Sequence, residues 1–286
     1  MKEVILKSYG KINLFLDVGK KNKKRKLHNI QSLVCLIDLH DTIRISRIKS
    51  RKDKTKFSGR FSAHVREKNN SVKKCLALLR SRGLIKKNHN FNILVKKNIP
   101  VFSGFGGGSS NAAVLIKYFT KGRNLLQKDR SNFSKNLGSD LNLFFSSKQV
   151  FQKNLDEIID LKKKLKFYFI LVYPFLKSST KDIYSKFKFD KNFKRNRTYK
   201  GNSKLKIIEH LKHQENSLEK IVILKFPIIQ KILLELGDIK NCQFSRVTGS
   251  GSACFGLFLT KKSADLGLEK IKKKFPKFWC VVGKTI

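Results

Sequence analysis

The sequence predicts an α+β protein folded in two lobes. Three observations lead there: β-branched and aromatic segments open the chain, a strand, glycine loop and helix succeed one another around residues 91–119, and the chain closes with strand, glycine turn, strand, helix and strand. The polar stretch Lys148–Lys166 marks the expected division, with an N-terminal lobe over residues 1–160 and a C-terminal lobe over 161–286. Length agrees, since 286 residues at roughly 150 per domain make about two compact units.

Taken in order, Val4–Val18 reads as a strand passing through Gly10, and the basic stretch Lys20–Lys26 as a solvated loop. Asn29–Ile48 continues in strand fashion, with Asp41-Thr42 expected as a turn. Asn70–Leu79 carries apolar residues at helical spacing and Gly83 is its expected stop. Phe91–Val95 is a short strand before Pro100, and the loop Pro100–Asn111 (PVFSGFGGGSSN) leads into a helix over Ala112–Phe119, with Ser109 and Ser110 as candidate N-caps. A further helix reaches Asn136, and LGSDLNLFF then gives a turn and a short buried segment. Phe167–Tyr173 is a buried strand and Lys186–Ser203 an exposed cationic insertion. Leu205–Leu236 is helical in pattern, broken or restarted at Pro227. Strands on either side of Thr248–Ser252, a helix over Ser263–Lys274 and a strand over Trp279–Gly283 complete the chain.

Composition excludes several classes. An apolar content of 40%, with 23 Phe, is too high for global disorder. The longest apolar run, Phe167–Leu176, falls well short of the roughly 18–20 residues of a membrane-spanning helix. Glu3, Lys7 and Lys11 interrupt the place where a secretory leader needs an unbroken apolar segment, so a cytoplasmic chain is expected. Five well-separated cysteines, none in a Cys-x-x-Cys pair, suggest neither a disulfide framework nor a zinc site. The net charge of +44 attracts polyanions, but the basic residues are scattered along the chain. A lysine-biased composition gives the same pattern, so no specific nucleic-acid partner is expected.

The loop Ser103–Ser110 places four of the 17 glycines within five positions. Glycine lets the backbone approach a ligand closely, and a helix start just beyond offers unpaired N–H groups and the positive end of its dipole. Phosphate is the guest this arrangement suits, with a flexible connector as the other reading. The loop lacks the Gly-Lys-Ser/Thr ending of the P-loop. A second cluster, Thr248–Ser252, reads as a hairpin turn or as a second phosphate-facing wall. On its own, Asp140 in Gly138-Ser139-Asp140 reads as a candidate acid presented by a short turn, with a helix or turn cap as the other reading, and Lys11 is one cation among 64 basic residues.

Three ordered motifs change that balance. The opening YGKINLFLDV, the central P-x-x-S-G-x-G-G-G-S-S-N-A-A and the late VTGSGSACFGLF together resemble the signatures of the GHMP kinases. Further details, namely His28, the LGSDLNLFF block, Thr180 with Tyr184, and Asn216-Ser217-Leu218-Glu219, are most similar to the branch acting on cytidine-diphosphate-linked methylerythritol in non-mevalonate isoprenoid synthesis. The resemblance implies an ATP-binding lobe like domain 2 of ribosomal protein S5, a ferredoxin-like C-terminal lobe, and ligands in a cleft between them. It also implies transfer of the γ-phosphoryl group of ATP, with Mg²⁺, to the 2-hydroxyl of that alcohol by a monomer or homodimer.

Residue by residue, the resemblance makes Asp140 the general base and Lys11 the cation that keeps it ionised and offsets transition-state charge. It assigns Pro100, Ser103, Gly104, Phe105, Gly106, Gly107, Gly108, Ser109 and Ser110 to the nucleotide. Asn13, Thr180, Gly249, Ser250 and Gly251 fall to the substrate, with His28 reading the cytosine edge and Tyr184 stacking on its ring. No metal-ligating residue is assigned. Three departures stand out: Lys26-Leu27 in place of Gly-Tyr before the histidine, Asn142 in place of proline, and Asn154-Leu155-Asp156 without its usual glycines. The rivals are another GHMP kinase, of homoserine or mevalonate type, and a basic nucleic-acid-binding protein with vestigial kinase motifs.

Overall fold

The computed structural model describes residues 3–22, 27–121, 127–155, 157–161, 164–189 and 204–286. Most of the expected basic loop at 20–26 and of the cationic insertion at 186–203 therefore lies outside the described residues. The described residues form an α+β fold with one six-stranded and one four-stranded sheet. Its two compact units interleave along the sequence rather than meeting near residue 160: the first comprises residues 1–10, 39–101 and 106–146, the second residues 11–38, 102–105 and 147–286. Strand length explains the interleaving. β1 (Val4–Lys21) and β2 (His28–Ile48) run for 18 and 21 residues, so each gives one half to either unit.

In the first unit, β2 pairs antiparallel with β4 (Asn90–Lys96), which pairs in parallel with β3 (Lys54–Ser58). Alternation along the strands buries Ile43, Ile45, Ile93 and Val95 on one face and leaves Arg44 and Lys96 in solvent. Helix α1 (Ser71–Ser81) starts where the Asn70 side chain accepts the Lys73 N–H at 3.0 Å, and it buries Val72, Cys75, Leu76 and Leu79. Helix α2 (Gly107–Phe119) buries Ala112, Ala113, Leu115 and Ile116. Helix α3 (Gln127–Leu137) and a 3₁₀ helix over Ser139–Phe145 follow.

One expectation fails here. Asp41-Thr42 is no turn: β2 passes straight through it. The Asp41 carboxylate has partners that local sequence does not reveal, accepting the Asn98 and Ile99 N–H groups at 2.8 and 2.9 Å and pairing with the buried Lys97 ammonium. With its charge satisfied by the segment entering the glycine loop, the carboxylate stays fully buried within a strand.

In the second unit, β5 (Gln149–Gln152) pairs with β2 and with β6 (Ile158–Asp160). The four-stranded sheet runs β10-β7-β9-β8, all antiparallel, with β7 at Tyr168–Tyr173, β8 at Ser245–Val247, β9 at Cys254–Phe258 and β10 at Trp279–Lys284. In chain order these are its first, second, third and fourth strands, so the spatial order fourth, first, third, second is the ferredoxin-like arrangement. Leu205–Leu236 is three helices instead of two: α5 (Lys204–Lys212), α6 (Glu219–Lys225) and α7 (Ile228–Gly237). Pro227 caps the last as expected, while the added break at 213–218 arises because Leu16 N–H bonds to Glu215 and Ser217 N–H bonds back to Leu16. Helix α4 (Thr180–Ser185) and α8 (Lys261–Lys274) complete the unit. Ile170, Val172, Val222, Ile229, Ile232 and Leu236 form the centre of its core, each such side chain stabilising it by about 1.5–3 kcal/mol.

Candidate active site

The predicted site residues divide between the two units. In the first, the glycine loop and Asp140 come together. Helix α2 starts within the loop, five residues ahead of the expected Ala112, with Gly106 as N-cap at φ +71°. Ser109 and Ser110 are thus first-turn residues and not caps. Gly106 has no side chain to cap the helix, and among the described residues no acid stands in the first turn, so the opening N–H groups lack a side-chain cap. A Cβ at Gly107 would lie 3.0 Å from Ile99 Cγ2 and 3.3 Å from Lys97 Nζ, so a side chain there would make these neighbours yield by a few tenths of an ångström. Gly108 is exposed and Ser109 half-buried, whereas Ser110 is buried and accepts a 2.8 Å hydrogen bond from the Ser8 hydroxyl. Pro100 is buried beside Ile99. A helix N-terminus with no side-chain cap and no acid in its own first turn is chemically a phosphate receptor.

Asp140 sits in the first turn of the 3₁₀ helix, half-buried, while Leu141, Leu143 and Phe144 anchor the segment. The preceding Gly138, at φ +119°, brings this turn against α2: a Cβ there would be 3.4 Å from the Ser109 hydroxyl. Asn142, where the family pattern has proline, accepts a 2.7 Å bond from Ser134 and so ties the turn to α3.

In the second unit, Lys11, Asn13 and the second glycine cluster meet. Lys11 is 3% exposed, and its ammonium donates to Asn13 Oδ1, whose Nδ2 donates to Ser32 at 2.8 Å. Asn13 therefore orients Lys11. Its backbone N–H donates to Thr248 Oγ1 at 3.2 Å, and a Cβ at Gly249 would stand 3.1 Å from Lys11 Nζ. Residues 102–105 line the same cluster: Phe105 O accepts the Lys11 N–H at 2.9 Å, and Ser103 O accepts the Ala253 N–H at 3.1 Å. Gly104, at φ +88°, leaves no room for a Cβ, which would overlap the Thr248 carbonyl. Ser103 and Phe105 are buried, the Phe105 ring lying 6.4 Å from that of Trp279, so these two support the loop from the core side.

Thr248–Ser252 is more than a hairpin turn, because Thr180 Oγ1 lies 2.9 Å from Ser250 Oγ and Ser178 donates to Ser250 O at 2.7 Å. These bonds fasten α4 to the cluster. At the other end of α4, the Tyr184 ring is 5.8 Å from that of half-buried His28. His28 Nδ1 lies 2.9 Å from the Gly19 carbonyl and must carry the proton, which leaves Nε2 as the acceptor of the neutral ring. Sequence reasoning missed Phe187, whose ring meets His28 edge-on at 5.4 Å. Its signal was the i, i+3 spacing from Tyr184, hidden when 186–203 was treated as one polar insertion. Leu27, which replaces the usual tyrosine, is 46% exposed. The glycine-poor turn after β5 holds because Asn154 Oδ1 accepts the Glu157 N–H at 2.9 Å.

Among the described residues no group of three His, Cys, Asp or Glu side chains could hold a metal ion, all five cysteines are free, and no helix is long and apolar enough to cross a membrane. Burial raises the Cys35 and Cys75 thiols to about 12, so neither is a nucleophile at neutral pH.

Comparison with known proteins bears directly on this arrangement. Residues 70–142 match the model of the GHMP kinases N terminal domain, and residues 202–277 that of the GHMP kinases C terminal. The 4-diphosphocytidyl-2-C-methyl-D-erythritol kinase of Pelagibacter ubique is 37% identical over 283 residues, covering 98% of either chain. That of Thermodesulfovibrio yellowstonii is 31% identical, covering 98% of this chain and 97% of its own. Among solved structures, a 4-(cytidine 5'-diphospho)-2C-methyl-D-erythritol kinase superposes with a TM-score of 0.72 at 20% identity, over 99% of this chain and 100% of that one. A homoserine kinase from Cytophaga hutchinsonii gives 0.71 at 14%, over 100% and 95%. The chain belongs to the GHMP kinases and, within them, to the family of the 4-diphosphocytidyl-2-C-methyl-D-erythritol kinases.

Proposed function

We propose that this protein transfers the γ-phosphoryl group of ATP to the 2-hydroxyl of 4-diphosphocytidyl-2-C-methyl-D-erythritol, a step of non-mevalonate isoprenoid precursor synthesis. The observation that carries the reading is 37% identity across 98% of a kinase of that name. The uncapped start of α2 suits the triphosphate, its N–H groups replacing water around oxygens that gain charge during transfer. Asp140, half-buried beside that helix start, takes the hydroxyl proton as the oxygen attacks. Lys11, aimed by Asn13, offsets charge on the transferring group. Mg²⁺ accompanies the nucleotide: such an ion keeps several waters and phosphate oxygens and needs at most one or two carboxylates from the protein. When bound, it neutralises charge on the phosphates.

Cytosine is read by the cluster around His28. Nε2 of the Nδ1–H tautomer accepts from the exocyclic amine, and Tyr184 and Phe187 supply the two aromatic surfaces, Phe187 taking the place left by Leu27. A coupled assay of ADP release with the cytidyl alcohol, homoserine and mevalonate tests this directly. Turnover is expected with the first alone; preference for a cytidine-free alcohol would overturn the substrate assignment.

A further inference from the structure

Residues 215–219, which lead from α5 into α6, have no part in the chemistry above, yet they bond the backbone of the second glycine cluster at Gly249 and of the strand entering it at Val247. Asn216 is 3% exposed and all its amide groups are used: Nδ2 donates to Val247 O at 2.8 Å and to Gly249 O at 2.7 Å, and Oδ1 accepts the Leu218 N–H at 3.0 Å. Glu219 accepts the Val247 N–H at 2.7 Å. The other edge of the segment is laced to β1, through Leu16 N–H to Glu215 O at 3.1 Å, Ser217 N–H to Leu16 O at 2.8 Å and Val18 N–H to Ser217 Oγ at 3.1 Å. β1 is the strand that carries Lys11 and Asn13.

This lacing has a directional consequence. In a planar trans peptide the C=O and the following N–H point opposite ways. A Gly249 carbonyl held by Asn216 therefore turns the Ser250 N–H away from Asn216. The Gly251 N–H is already committed to Thr248 O at 3.0 Å and the Ser252 N–H to Phe102 O at 3.3 Å, so Ser250 is the amide whose direction this contact sets. We infer that Asn216, braced by Glu219, is a positioning residue that aims the Ser250 N–H at a phosphate oxygen of the alcohol substrate. The inference rests on the reading of Thr248–Ser252 as a substrate wall and names the device that shapes it.

The test uses the full-length protein. In the unmodified chain, the amide resonance of Ser250 is followed while the cytidyl diphosphate alcohol is added, and a large shift is expected. In Asn216→Asp, which removes both donors at nearly constant volume, KM for that alcohol should rise roughly ten- to hundredfold, the range of one hydrogen bond to a charged group, with KM for ATP within about twofold. Glu219→Gln, which keeps an acceptor for Val247, should restore the KM that Glu219→Ala loses. An unmoved Ser250 resonance in the unmodified chain, or a folded Asn216→Asp with unchanged KM, overturns the inference, and the first measurement stands even if the variant fails to fold. Turnover in the unmodified chain is scored separately: a Ser250 response without turnover overturns the function and leaves the role of Asn216 in place, and turnover without the response does the reverse.

Discussion

Replacing Gly249 with alanine separates backbone strain from displacement of Lys11, the lysine proposed to offset charge on the transferring group. Gly249 has φ +58°, and holding an L-residue in that region costs roughly 1–2 kcal/mol. The added methyl would lie 3.1 Å from Lys11 Nζ and 3.4 Å from Asn13 Oδ1, so the ammonium must yield by a few tenths of an ångström. Misplacing a reacting group by 1 Å costs up to about a hundredfold, so a shift of this size should lower kcat roughly tenfold. Gly83 supplies the control: at φ +68° it carries the same strain, but nothing lies within 4 Å of its Cβ. Both variants should lose about 1–2 kcal/mol in urea denaturation. Only Gly249→Ala should lose turnover in the coupled assay. Equal stability losses with kcat of Gly249→Ala within twofold of the parent would refute the placement of Lys11 by this contact.

Other substitutions probe neighbouring parts of the account. Gly104→Ala should fail to accumulate as folded protein, since its methyl would overlap the Thr248 carbonyl at a position of φ +88°; a soluble variant with normal thermal unfolding would contradict that packing. Phe187→Ala should raise KM for the cytidyl alcohol roughly tenfold, the scale of one lost base-stacking contact, and leave KM for ATP alone; equal effects on both would remove Phe187 from the base pocket. Cys35 and Cys75 are raised from 9.0 to about 12 by burial, so their contribution to stability is complete below pH 9 and is lost as pH climbs toward 12, about 4 kcal/mol for each thiol at the limit. Unfolding free energy measured from pH 8 to 11 should fall accordingly, with a shallower slope in Cys35→Ala; a flat profile would contradict it.

Much of this was legible in the sequence because the signals are local. Asn70 caps α1 where its side chain meets the Lys73 N–H three residues on, and the apolar stripe of that helix is periodic. The resemblance to the GHMP kinases implied a ferredoxin-like C-terminal lobe, and the order of the four-stranded sheet agrees with it. What escaped was non-local or masked by composition. Asp41 looks like a turn former until its partners at residues 97–99 are known. The apolar helical pattern resumes only at Ala112, whereas α2 begins at Gly107, packed close to Ile99 and Lys97. Phe187 was lost in a polar window, and a cut near residue 160 fits neither packing unit because two long strands each serve both.

The central claim is that one carboxylate takes the proton while the glycine-loop helix start separately holds the nucleotide. Asp140→Asn, assayed for turnover with the cytidyl alcohol and for ATP binding by calorimetry, tests both halves at once. Turnover should drop roughly 10²- to 10⁴-fold with ATP affinity within about twofold of the parent. Near-normal turnover in that variant, or loss of ATP binding in proportion to activity, would contradict the account.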